Sequence, residues 1–551
     1  MLKSLYQKFN ENVQKIDWML LLFLVLFTNV KMIVKIASLL FFLFYFRKNI
    51  FKSGFFRQRF GWFYIAMIII ILLNLLINIS GISINYLVVT IIGVFFWLMC
   101  IGAAALTYQF VKKNDTGKLH SSISVFFLLN ATVTIVQLIL IMWDAGSLNP
   151  YTYQGMNQKY FISTGDLIKG LTLDVSTTNA LINAMGILYF LDRRKIHWVL
   201  LCMITLLLTA SNFTNVLLMV IFCFLFIFNS DRNQKTTIVM CFLLFVVFLV
   251  KVSPQNKHYL NYVWQKLSRS KIDTILPETT APRLTTLSDS VLNEEEKRQK
   301  FAMNYLDSIY LSQLERLTSE KKIETDHGLP VNIVEPQAKP QIPKANIHTE
   351  PYQRKKDTSE FRREMIEFSI NKIPGFNTDL SKTQQKKLPG KLIGLKQTFR
   401  YLKAHPQKLM TGSGTGQFSS KLSYRATGLK FAGGYPENFI YINNDFRDNH
   451  LKLYLDYFTK DAEVHSLMNT PDSVYDQLLA EYGIAGLVCF LILYVGYFLK
   501  SHRKKSYGVP LMILFAGALG IGYWFEQLSI IILFEVLMFI NIKETGKESS
   551  K

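Results

Sequence analysis

Between Pro389 and Phe490 the chain gathers residue types that can hold an anion and move a proton. Thr411-Gly412-Ser413-Gly414-Thr415-Gly416-Gln417-Phe418 sets a glycine at every second position. Such a run lets the backbone turn tightly and come close to a ligand. A nest of its N–H groups can take a phosphate oxygen. No Gly-Lys-Ser/Thr follows, so this is not a Walker loop, and a plain surface turn accounts for the same residues. Downstream stand Arg425, Gly433-Gly434-Tyr435-Pro436, Asn449-His450 and the stretch His465 to Tyr475, which contains Asp472. That stretch runs directly into Gln477-Leu478-Leu479-Ala480-Glu481-Tyr482-Gly483 and an apolar segment. The titratable groups therefore fall at the mouth of a helix.

The elements that must position these groups are membrane helices. Of 551 residues, 50% are hydrophobic, and mean hydropathy is +0.22. Runs such as Leu20 to Phe27, Ile65 to Leu76 and Met240 to Val250 carry almost no charge. A bilayer core of roughly 30 Å takes about 20 apolar residues as helix, and lipid offers the backbone no other partners. The pattern predicts an all-α integral membrane protein of about twelve transmembrane helices, near 17–29, 32–46, 61–79, 85–110, 121–143, 173–191, 196–209, 212–229, 235–251, 476–499, 507–523 and 525–542. The first pair and the pair around Ser211 are short enough to be tilted or re-entrant. No cleavable leader is expected, because the first apolar run passes into the second without a cleavage site.

Charge orients the bundle. Lys and Arg follow the second (Arg47, Lys48), fourth (Lys112, Lys113), sixth (Arg193, Arg194, Lys195), eighth (Arg232, Lys235), tenth (Arg503, Lys504, Lys505) and last (Lys543, Lys547) helices. All fall on one side, which the positive-inside tendency makes cytoplasmic. Both termini are then cytoplasmic, and 144–172 and 252–475 face outward. Much of the net charge of +22 is this signal, so it argues little for nucleic acid. The five cysteines (Cys100, Cys202, Cys223, Cys241, Cys489) all lie in apolar runs, so the outward loop is no disulfide scaffold. Three regions follow: nine helices over 1–251, the loop 252–475, and three helices with a short tail over 476–551. Within the loop, Leu292 to Leu317 reads as a helix, 326–360 as a Pro-rich flexible linker, and 385–475 as folded.

The order of these features resembles a known family. Gly390-Lys391 opens a helix-like stretch ending at His405-Pro406. The Gly-x-Gly-x-Gly-x-Phe loop follows, then a polar motif leading into Leu479-Ala480-Glu481-Tyr482-Gly483-Ile484-Ala485-Gly486-Leu487. Lys169-Gly170 precedes the sixth helix, and Leu208-Thr209-Ala210-Ser211 joins two short ones. Together these are similar to the O-antigen ligase and polymerase-like glycosyltransferases, of C-type architecture. The resemblance implies a donor glycan on a polyprenyl diphosphate, an acceptor hydroxyl on a glycan or lipid, and no metal or other cofactor. It implies cations on the leaving diphosphate, for which Lys169, Lys391 and Arg425 are the candidates, with Gly412, Gly414 and Gly416 as backbone donors. It also implies a base, for which Asp472, His465 and His450 are the candidates. Asp472-Ser473 stands where many members carry His-Asn, Asn212 where Arg is frequent, and Lys391 where Arg follows the glycine. The base is therefore left open among the three.

Glu481 suits a first helical turn as an anchor. Glu526 and Glu535 lie in the last apolar segment, where a carboxyl is costly and usually faces a polar cavity. The rival readings are a transporter or flippase for lipid-linked glycans, and a receptor-like scaffold. A transporter is expected to show internal repeats; a scaffold would need a long cytoplasmic segment. Neither is visible in the sequence. Ligase and polymerase use the same donor, and the sequence does not separate them.

Overall fold

The computed structural model describes residues 14–50, 54–77, 83–145, 148–152, 164–253, 388–428, 435–458, 467, 470–500 and 506–548. The expected helix Leu292–Leu317, the Pro-rich stretch 326–360 and His465 lie outside the described residues. The chain divides into two units, one of 1–140, 164–248 and 357–551, the other of 141–163 and 249–356. In the second unit Pro150–Thr152 forms a 3-10 turn, and the Asn149 side-chain amide donates to the Val252 carbonyl at 3.0 Å.

The first unit is nearly all helix. Each of the twelve expected apolar segments contains one: α1 Trp18–Thr28, α2 Met32–Ile50, α3 Arg59–Ile77, α4 Ile84–Lys113, α5 Thr116–Ala145, α6 Ser176–Asp192, α7 Ile196–Leu208, α8 Asn212–Phe228, α9 Arg232–Val247, then α13 Val474–Cys489, α14 Gly508–Leu519 and α15 Ser529–Glu548. Between α9 and α13 come α10 Gly390–Ala404, α11 Lys421–Ala426 and α12 Lys452–Phe458, besides shorter turns. Among the described residues, five helices are long and apolar enough to cross a membrane: α3, α4, α5, α9 with its extension to Val252, and α13 with its extension to Lys500. The protein is membrane-embedded on that basis.

α6 and α15 form the centre. Residues 176–191 and 529–541 are buried almost throughout. α6 carries Asn179 and Asn183 into this core, and both are hydrogen-bonded. Asn130 Nδ2 donates to Asn179 Oδ1 at 2.8 Å, Thr205 Oγ1 to Asn183 Oδ1 at 2.7 Å, and Asn179 Nδ2 to the Ile168 carbonyl at 3.2 Å. A buried amide left unmatched would cost about 1–3 kcal/mol, so this network fixes the register of α5, α6 and α7.

The basic helix ends meet at one end of the unit. Lys113 lies over the Phe46 ring. Arg193 pairs with Glu544 at 2.5 Å, and Arg194 pairs with Asp231 at 2.5 Å. Lys543 Nζ donates to the Val111 carbonyl at 2.7 Å, at the end of α4, and Tyr507 packs on Tyr189. At the opposite ends of the same helices, Val30 N donates to the Thr172 carbonyl and Asn85 Nδ2 to the Ile440 carbonyl.

The described part of 388–475 is built onto those opposite ends as part of the same unit. Leu422 and Ala426 pack with Tyr86, Val89 and Phe96 of α4. Tyr401, Leu402 and Phe418 pack with Leu479 and Ala480 of α13. Full burial of a side chain such as Phe418 contributes about 1.5–3 kcal/mol.

Candidate functional site

The glycine run and the Glu481–Gly483 segment form one interlocked structure. α13 is broken at Gly483, whose φ of 67° and ψ of −168° belong to a region open essentially to glycine. The break leaves helix carbonyls and N–H groups without helical partners. The glycine run supplies them. Ser413 N donates to the Ala480 carbonyl at 2.8 Å and Gly414 N to the Glu481 carbonyl at 3.1 Å. In return Ile484 N donates to the Leu409 carbonyl at 2.9 Å and Ala485 N to the Met410 carbonyl at 3.0 Å. The approach is so close that a Cβ on Gly412 would overlap the Glu481 backbone, and one on Gly483 would overlap Met410 and Gly412.

Glu481, fully buried, closes the structure. Its carboxylate accepts from Gly416 N at 2.8 Å, Phe418 N at 3.0 Å, Ser419 N at 2.9 Å and Ser423 Oγ at 2.8 Å. Gly412, Gly414 and Gly416, expected to donate to a phosphate, have their backbone N–H groups engaged within the chain. The nest exists, but its donors serve a carboxylate of the chain and the broken helix. Gly412 N itself donates to the Lys408 carbonyl at 2.7 Å.

The glycine loop thereby fixes α11, which carries charge to the mouth. Lys421 and Arg425 are four residues apart, on one face of the helix. Burial pulls the Lys421 ammonium below its usual range and the like charge of Arg425 adds to this, while Asp174, Glu526 and Asp472 oppose it. Arg425 Nε is buried with no hydrogen-bond partner. Tyr424, beside Arg425, stacks on Tyr454 with ring centroids 4.4 Å apart. Tyr454 donates to the Asp472 carboxylate and lies 2.9 Å from the Tyr523 hydroxyl. Gln477 Nε2 donates to Glu526 at 2.6 Å. From α2 comes Lys35, buried, donating to the Gln527 carbonyl, with Asp174 and Lys421 as its charged neighbours.

Lys391, in the first turn of α10, donates to the Asp472 carbonyl and to Thr470 Oγ1 at 3.4 Å. Burial pulls its ammonium down to about 8, and Asp472 and Asp476 push it up. The sign has two consequences. Between about 8 and the usual lysine range the unfolded chain binds more protons than the folded one, so this group's contribution to stability rises with pH there. Its cationic form at the mouth is lost over the same window. If that cation serves the reaction, activity falls as pH rises through about 8, and Lys391→Arg removes this alkaline limb. A pH–rate profile of both proteins checks this.

The sequence candidates thus have different fates. Lys391 meets Asp472 directly, whereas Arg425 is linked to that pair through its neighbours: Lys421, on which Arg425 and Asp472 both act, and Tyr424, stacked on Tyr454. Lys169 sits at a turn held by Gln137, whose Oε1 accepts from Gly170 N at 2.8 Å. From that segment Asp174 is close enough for its charge to act on Lys421. The turn at Gly165 lies against Thr209 and Ala210, so the two short motifs around Lys169 and Ser211 adjoin. His450, a base candidate from sequence, is placed in the core beside Asp476. It is fully buried, its Nε2 lies 2.6 Å from Asp476 Oδ2, and Asp476 also accepts from Ser419 Oγ at 2.9 Å and from Thr398. A base must reach the attacking hydroxyl, and this ring is closed in. Glu535 likewise accepts from Tyr494 at 3.2 Å and from Tyr64 inside the bundle.

Lys35, Asp174, Lys421 and Tyr454 were not singled out from sequence. Lys35 had a signal: it is the one charge between Met32 and Phe46. Lys421 and Arg425 had another, the like-charge pair one helical turn apart. Asp174 and Tyr454 had none, because only the fold brings them here. No family model, curated protein or solved structure matches the chain.

Proposed function

We propose that the protein is a membrane glycosyltransferase similar to the O-antigen ligases and polymerases. It moves a glycan from a polyprenyl-diphosphate donor to an acceptor hydroxyl during surface-polysaccharide assembly. One observation carries the reading: Lys421 and Arg425 gather with Asp174, Glu526 and Asp472 at the helix ends opposite the basic loops. By the positive-inside tendency those ends face outward, in a cytoplasmic membrane with twelve crossings and both termini inside. A lipid diphosphate lies at that depth, with its isoprenoid in the bilayer and its sugar outside.

In the reaction the acceptor oxygen attacks the anomeric carbon. A new C–O bond forms as the bond to the diphosphate oxygen breaks. The leaving diphosphate keeps the electron pair, and the acceptor proton passes to a base. Arg425, Lys421 and Lys391 stabilise the charge that grows on the leaving group. Asp472, half-buried at the mouth and oriented by Tyr454, is the base this geometry favours; His465 is its rival. In cells lacking the chromosomal copy, Asp472→Asn is expected to abolish the assembled glycan while His465→Ala retains it. The reverse result, read by gel analysis of surface polysaccharide, assigns the base to His465. A normal glycan with both variants removes the base from this loop.

A further inference from the structure

We infer that the hairpin of α8 and α9 binds the headgroup of an anionic phospholipid at its basic end. This is independent of the transfer reading, because Arg194 and Asp231 place that end among the basic loops. A shallow, largely open pocket of about 470 Å³ lies there, lined by Phe226, Ser230, Arg232, Lys235, Thr236 and Val239. Arg232, Lys235, Ser230 and Thr236 line the same space as an aromatic ring and a valine, and the Thr236 hydroxyl donates to the Arg232 carbonyl at 3.0 Å. The Lys235 ammonium lies 5.2 Å from the Phe226 ring centroid, which holds charge against an apolar wall. Asp231, the carboxylate beside them in the chain, is already engaged. It pairs with Arg194 at 2.5 Å and accepts from Gln234 N at 2.8 Å, so the cavity keeps a positive balance.

The apolar continuation selects a lipid over a free phosphate. Val239, Leu243 and Val246 leave 45%, 60% and 53% of their surface exposed along α9, and Val220 leaves 61% along α8. Only 22% of the most apolar stretch of Arg232–Val252 is buried, the least of the five long apolar helices. A ligand that fills the cavity with a phosphate ester and covers this strip with acyl chains satisfies both surfaces. Inorganic phosphate would satisfy one.

The test is lipid binding by the full-length protein in detergent, read by native mass spectrometry against phosphatidylglycerol and phosphatidylcholine. Two cations near a headgroup predict a preference for phosphatidylglycerol of roughly 5- to 30-fold. The double change Arg232→Ala, Lys235→Ala is expected to bring it near parity, and Arg57→Ala, Arg59→Ala, the same charge change elsewhere, to leave it intact. Thr236→Trp, which fills the cavity and keeps the charge, is expected to lose the preference too and serves if the first pair fails to fold. Equal binding of the two lipids by the wild type would overturn the site, as would equal loss in the Arg57 and Arg59 pair. Full competition by millimolar glycerol 3-phosphate would overturn the lipid in favour of a free phosphate ester.

Discussion

Arg425→Ala is expected to lower glycan transfer about 10- to 100-fold without lowering the amount of folded protein. A hydrogen bond to a charged group is worth about 1.5–3 kcal/mol, and each 1.36 kcal/mol on a barrier is about tenfold in rate. The guanidinium suits a diphosphate because its planar fork can hold two oxygens. Its Nε is buried without a partner, a cost that an incoming anion removes. A purely structural ion cluster predicts otherwise. Removing Arg425 would then leave Asp174, Glu526 and Asp472 facing Lys421 with less positive charge, and melting temperature would fall with little change in turnover. Arg425→Lys separates charge from fork: it should recover part of the rate, because an ammonium remains, but not all of it. Initial rates and thermal melts on the same preparations distinguish the two accounts.

Gly483→Ala is expected to be the most destabilising single substitution at the site, about 3 kcal/mol or more, with loss of activity following loss of structure. Two costs combine. The backbone conformation at Gly483 is strained for any residue with a Cβ, by about 1–3 kcal/mol. The Cβ would also overlap Met410 and Gly412, and overpacking costs about 1–3 kcal/mol more. Gly54→Ala separates the terms. Gly54 also has positive φ, 80°, but nothing lies within 4 Å of an added Cβ. That variant should lose only about 1–2 kcal/mol. Equal melting temperatures for the two variants would mean that the glycine run does not clamp the broken helix.

The helices were legible because lipid leaves the backbone no alternative, and every expected apolar segment contains a helix. That the glycine run lies beside Glu481 was not read from the sequence, which offered Glu481 only as an anchor in a first helical turn. What the run binds was not legible either. Spacing shows that Gly412, Gly414 and Gly416 can form a nest, but not that Gly416 N, with the N–H groups of Phe418 and Ser419, serves the Glu481 carboxylate 65 residues on. The burial of His450 was not legible for a related reason. A histidine in a polar stretch looks available, and its burial under α10 beside Asp476 depends on long-range packing. Lys391, Arg425 and Asp472 were chosen for their places beside regular elements; of the three, Lys391 and Asp472 are in direct contact. Lys35 was readable from the cost of a charge in an apolar helix.

The central claim is transfer from a lipid diphosphate. It is tested most directly with the purified protein in proteoliposomes that hold a polyprenyl-diphosphate glycan and an acceptor glycan, measuring joined product and released polyprenyl diphosphate. The account predicts equal amounts of both, and loss of both with Arg425→Ala. Movement of intact donor across the bilayer with no joined product would contradict it and favour the transporter.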